Sequence, residues 1–125
     1  MNEQPELRGP KQVTLVAHRS ETSVFIDAEI DTTGSLVISG QDVGKAPMDC
    51  FGDSDYEYWL VVAASDKDHV LSLLVGSDAA GVSEEEKDWA LLRAIEKAYA
   101  GDMRVVSALC SLLRANGIPY EFSTY

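Results

Sequence analysis

The residues best equipped for chemistry lie in the stretch DCFGDSDYE, Asp49 to Glu57. Asp53, Asp55 and Glu57 recur at every second position, a supply of hard oxygen ligands of the kind that holds calcium, magnesium or manganese. An EF-hand loop also requires a glycine at its sixth position and a glutamate at its twelfth, and this stretch supplies neither. If Glu57 lies in a strand, period-two geometry still puts the three acids on one face. A small metal-dependent enzyme using the Asp49–Glu57 carboxylates is therefore one functional reading.

Other reactive sets are poorly supplied. His18 and His69 are the only histidines, and neither has a Cys, a second His or a Glu at ligand spacing. The chain contains no G-x-S-x-G elbow for a serine nucleophile. SGQDVGKAP has two glycines and a lysine but not in the order of a phosphate-binding loop. Cys50 and Cys110 form no C-x-x-C pair, and Cys50 sits in an acidic loop that disfavours the thiolate. Two free thiols are expected, as in the reducing cytosol. The sequence implies no catalytic set and no cofactor, and a non-enzymatic role is the stronger expectation.

Charge carries more information. The chain has 21 acids against 10 bases and a net charge of -11. Between Glu21 and Asp66 there are ten acids, with Lys45 as the only base, so nine of the eleven excess negative charges fall there. Such a field repels nucleic acid and anionic membranes and attracts basic proteins. The candidate partner-binding residues are Asp27, Glu29, Asp31, Asp42, Asp49, Asp53 and Asp55. Tyr56, Tyr58 and Trp59 stand close by, where strand alternation assigns them to packing.

The elements that must position these acids can be read from hydrophobic periodicity. QVTLVAH predicts a strand over about 12–18, with Val13, Leu15 and Ala17 on one side and Val16 opposite. In SVFIDAEID, Val24, Ile26, Ala28 and Ile30 line one face, while Asp27, Glu29 and Asp31 line the other and point to solvent. DTTG turns this strand into SLVISG, which makes a hairpin. After a breaker-rich loop, YEYWLVVAA is apolar on both faces from Trp59 onward and reads as an interior strand.

Three helices follow. Ser65 with Asp68 suggests a cap for a helix over 66–75 that stops at Gly76. Ser83 with Glu86 is a fuller capping box, opening a helix with Trp89, Leu92, Ile95 and Tyr99 on its apolar face. Asp102 is the expected cap of a third helix, whose stripe is Val106, Leu109, Leu112 and Leu113 and whose stop is Asn116-Gly117. YEFST reads as a last strand. The order ββββαααβ predicts an α+β two-layer sandwich, an antiparallel sheet of about five strands with three helices on one face.

At 125 residues the chain is expected to form a single domain over 12–125, preceded by a flexible arm over 1–11. MNEQPELRGPKQ lacks the charged-then-apolar layout of a signal peptide. The longest apolar run, WLVVAA, falls far short of the roughly 20 residues of a membrane span. A cytoplasmic address is the expectation.

Three stretches, LVISGQDVG at 36–44, GDSDYEYWLVV at 52–62 and GIPYEFSTY at 117–125, together resemble a group of small acidic bacterial proteins. Some members of that group act as immunity proteins of toxin–immunity systems. The shared features are a G-Q-D turn, a D-Y-E-Y strand entry and a terminal aromatic strand, none of which designates a catalytic residue. The resemblance implies an immunity protein with a basic toxin as partner. A third reading is a structural or regulatory module that dimerises through an exposed strand edge.

Overall fold

The computed structural model describes residues 11–44, 55–76 and 82–124. Four strands come first: β1 (Lys11–His18), β2 (Thr22–Ile30), β3 (Leu36–Gly44) and β4 (Asp55–Val62). A 3-10 turn (Ala64–Asp66) leads into α1 (Lys67–Val75), followed by α2 (Glu84–Tyr99), α3 (Val105–Ala115) and β5 (Glu121–Thr124). The protein is α+β, with the order ββββαααβ that the periodicity predicts. Every strand pairing is antiparallel, and the sheet order is β1-β2-β3-β4-β5. β4 is interior, as its two apolar faces imply.

The β2–β3 connection is short because its ends are tied locally. The Asp31 N–H donates to the Ser35 carbonyl, and the Gly34 N–H to that of Asp31, both at 3.0 Å. Gly34 takes a φ of 83°, which a side chain would resist. The register that follows runs from Ile30 opposite Leu36 to Thr22 opposite Gly44 without a slip.

Residues paired across an antiparallel ladder share a face, so the register assigns the two faces of the sheet. Val13, Ala28, Ile38 and Leu60 form one inner row, and Ile30, Leu36 and Val62 another. These side chains are buried against Val70 and Leu71 of α1, Leu91, Leu92 and Ile95 of α2, and Val105, Leu109 and Leu113 of α3. Each fully buried aliphatic side chain of this kind contributes about 1.5–3 kcal/mol.

β1 departs from the alternation expected of it. The register shifts between Thr14 and Val16, and Leu15 and Val16 are both buried while Ala17 is exposed. A bulge adds one residue on one side of the ladder and reverses the facing of all that follows. Val16, not Ala17, therefore continues the core. The Leu15 carbonyl, freed from regular pairing, accepts the Gly101 N–H at 2.8 Å.

The helix caps divide. Ser83 and Glu86 form the complete capping box: the Glu86 N–H donates to the Ser83 hydroxyl, and the Ser83 N–H to Glu86 Oε1. Ser65, by contrast, caps nothing. The 3-10 turn occupies its position, and α1 opens from Asp66 with no side-chain cap bond. Asp102 bonds the Arg104 N–H at 2.9 Å, shaping the turn before α3 rather than the helix itself. Gly76 and Gly117 take positive φ at the ends of α1 and α3.

Candidate functional site

The helices cover one face of the sheet, and the other face carries the acids. Its rows follow from the register. Phe25, Gln41 and Glu57 lie side by side across β2, β3 and β4, and Asp27, Ser39, Trp59 and Ser123 form the next row. Glu29, Val37, Val61 and Glu121 form a third. Among the described residues, no lysine or arginine occupies an outward strand position. Lys11, the one lysine or arginine within a described strand, sits in the inner row with Ile30, Leu36 and Val62.

A depression of about 200 Å³ opens at the centre of this outer face. Its floor is Ser39, Gly40 and Gln41 of β3, and its walls are Phe25 and Asp27 on β2 and Glu57 and Trp59 on β4. The walls stand about 9–10 Å apart, two strand spacings. The register sets the two aromatics on one diagonal and the two carboxylates on the other. Arg19, at the β1–β2 turn, places its guanidinium 5.0 Å from the Phe25 ring centre. At Gly40 the backbone itself lines the floor, because this position faces the helix side. A Cβ there would run into the Tyr58 ring, which packs against Gly40 from the helix side.

The seven acids singled out from the sequence are not one patch. Asp27 and Glu29 are part-buried on the helix-free face. Asp31 is spent on the hairpin turn, where Oδ1 accepts the Thr33 hydroxyl at 2.7 Å and the Thr33 and Ser35 N–H groups at 2.9 and 3.0 Å. The Thr33 hydroxyl leads these bonds in holding the carboxyl below its ordinary range, against the opposing effect of burial.

Asp42 lies on the opposite side of the sheet, in the row of Val24 and Tyr56. The Tyr58 hydroxyl donates to its Oδ1 at 3.2 Å. Burial raises the Asp42 pKa, and the Tyr58 bond only partly offsets it. Burial also drives the Tyr58 phenol well above its usual range, with the Asp42 charge adding to the effect. Asp55 opens β4 opposite Val43. Asp49 and Asp53 lie outside the described residues, as does Cys50.

Sequence reasoning missed three contributors to the outer face. The sequence offers Glu57 as a metal ligand and Trp59 as a packing residue, and nothing in it singles out Phe25. Alternation does turn Tyr58 inward, where it is 9% exposed, but the same alternation turns Trp59 outward. The available signal was the parity of Phe25, Asp27 and Glu29 on one strand and of Glu57 and Trp59 on another.

A second polar cluster lies beside the β2–β3 turn. Asp88 of α2 accepts Lys67 Nζ at 2.6 Å and Lys11 Nζ at 2.9 Å. Asp88 and Lys67 are 6% and 7% exposed. Burial pushes the Asp88 pKa upward, but the two ammonium groups outweigh it and hold the carboxyl below its ordinary value. The cluster ties β1, α1 and α2 together. Among the described residues, no three His, Cys, Asp or Glu side chains come together in a way that could hold a metal ion. His18 and His69 are both exposed, at the end of β1 and in α1.

No helix among the described residues is long and apolar enough to cross a membrane. Comparison of the chain with protein-family models, with curated proteins and with solved structures gives no match in any of the three.

Proposed function

We propose that this chain is a non-enzymatic, acidic protein-binding domain of the cytoplasm, an immunity protein that neutralises a basic bacterial toxin by covering its working surface. One observation carries the reading. The helix-free face presents Asp27, Glu29, Glu57 and Glu121 with no base at an outward strand position among the described residues. Apolar side chains, Phe25, Val37, Trp59 and Val61, lie between the acids. Charge of one sign steers a partner of the other sign into encounter, and aromatic anchors hold it once docked. The same field disfavours nucleic acid and anionic membranes as direct partners.

The test is co-expression with the basic product of a neighbouring gene that arrests growth. Growth should be restored, and the two proteins should co-purify. Asp27→Lys with Glu29→Lys should slow association by about tenfold or more at low salt while changing dissociation less. Absence of both rescue and complex formation would remove the reading.

A second reading, dimerisation through a strand edge, is favoured by β5. All four of its residues are exposed, and among the described residues its outer edge carries no partner strand. Light scattering at two protein concentrations separates a monomer from this dimer.

A further inference from the structure

We propose that the depression on the helix-free face is a guanidinium pocket, which receives one arginine side chain of a basic protein partner against Trp59, across from the Phe25 ring that Arg19 already covers, and pairs it with Asp27 and Glu57. The inference rests on the reading of this face as the binding face, and it specifies what that face recognises.

Size comes first. Ligand pockets usually enclose roughly 300–1,000 Å³, whereas this depression holds about 200 Å³. That volume suits a single side chain rather than a nucleotide or an extended organic ligand. The sign of the charge is set by the walls. Asp27 and Glu57 are both part-buried, and neither pairs with another described residue through a hydrogen bond or an ion pair. Two unpaired carboxylates in a concave site stabilise a cation, and an anion would be repelled.

The aromatic walls then distinguish between cations. A planar guanidinium stacks on an aromatic face and offers five donors in a fork, while an ammonium is a compact, strongly hydrated point charge. The chain makes this pairing twice within itself, Arg19 over Phe25 at 5.0 Å and Arg93 over Trp89 at 5.4 Å. Trp59 has no such cation among the described residues, although it stands beside the two free carboxylates. Ser39 and Gln41 on the floor add hydroxyl and amide groups that can accept the remaining guanidinium protons.

The test uses the intact chain and three small probes: N-acetyl-arginine amide, N-acetyl-lysine amide and N-acetyl-citrulline amide, titrated by two-dimensional NMR. The arginine probe should shift the Trp59 indole N–H and the Gln41 and Glu57 backbone N–H groups along a saturable curve, with a dissociation constant on the order of millimolar. The citrulline probe, isosteric but uncharged, should leave them in place, and the lysine probe should bind at least about threefold more weakly. Asp27→Asn with Glu57→Gln, both nearly isosteric, should weaken the arginine probe by about tenfold or more. Trp59→Leu keeps an apolar wall and removes the π face, so it should also weaken the arginine probe.

Equal binding of citrulline or lysine would overturn the proposal. So would shifts spread over every acidic surface, or an unchanged curve in the folded Asp27→Asn/Glu57→Gln variant. The two proposals fail separately. A silent titration beside a bound basic protein removes the pocket and leaves the acidic face. A specific arginine curve without any basic partner retains the pocket and removes the immunity role.

Discussion

Gly40 is the position at which a missing side chain makes room for a buried ring. On the helix side it makes room for the Tyr58 ring, and on the outer side its backbone floors the depression. Gly40→Ala should lower stability by about 1–3 kcal/mol, since the added methyl displaces a packed ring. Urea unfolding checks this. Combining it with Tyr58→Leu should recover part of the loss in a double-mutant cycle, because the two residues are in contact. Trp59 marks the limit of reading single residues from sequence. Alternation assigns it to packing with Tyr56 and Tyr58, yet it stands on the outer face and is only part-buried. An apolar residue on a strand says which face it joins and not whether a helix covers that face, and here all three helices lie on the other side.

At the scale of elements, periodic signals were readable and non-local ones were not. The alternation of β2 and β4, the hairpin between β2 and β3, and the Ser83–Glu86 box all depend on neighbours a few residues apart. Ser83→Ala should therefore cost α2 about 1 kcal/mol, measured as a shift in thermal midpoint. Alternation does not locate the bulge at Leu15, because Leu15, Val16 and Ala17 are three apolar residues in a row. Asp88 hides in the same way. It follows three acids at the start of α2 and looks like part of their wet face, while its partners lie 21 and 77 residues away in the chain.

Asp88→Ala leaves Lys67 buried without its counter-charge and should destabilise by about 3–5 kcal/mol. Lys67→Met with Asp88→Leu should cost less than Asp88→Ala alone, because no unpaired charge remains. The pH dependence has a fixed sign. The folded Asp88 pKa lies below its ordinary value of 3.8, so the unfolded chain takes up this proton first as the pH falls. The stabilisation is full above the unfolded value and is lost as the pH drops through the folded one. Urea midpoints measured from about pH 5 to about pH 2 should fall, and Asp88→Asn should flatten that fall.

For the whole molecule, the segregation of charge decides behaviour. Lys67, Lys87, Arg93, Lys97, Arg104 and Arg114 all lie on or beside the helices, so the net charge of -11 is expressed unevenly over the surface. Association with a basic partner should slow by about tenfold or more between low and physiological salt, as stopped-flow mixing would record, while dissociation changes little. The excess of acids in the first half was visible from composition. Its division between two sheet faces was not, because Asp42 and Asp27 differ only by the parity that pairing imposes.

The sheet order has a kinetic consequence. β1 to β4 lie side by side in the order in which the chain makes them, and β1–β2 and β2–β3 are joined by short turns. β5 alone must wait for a return across three helices. Closing that loop of about 60 residues costs roughly 2 kcal/mol more entropy than closing a hairpin of about five. β5 is also the strand whose four residues are all exposed. Its amides should exchange with deuterium well before those of Ile26, Ile38 and Leu60, through an opening that peels one strand from an otherwise intact sheet. The strand that joins last is then the first to leave.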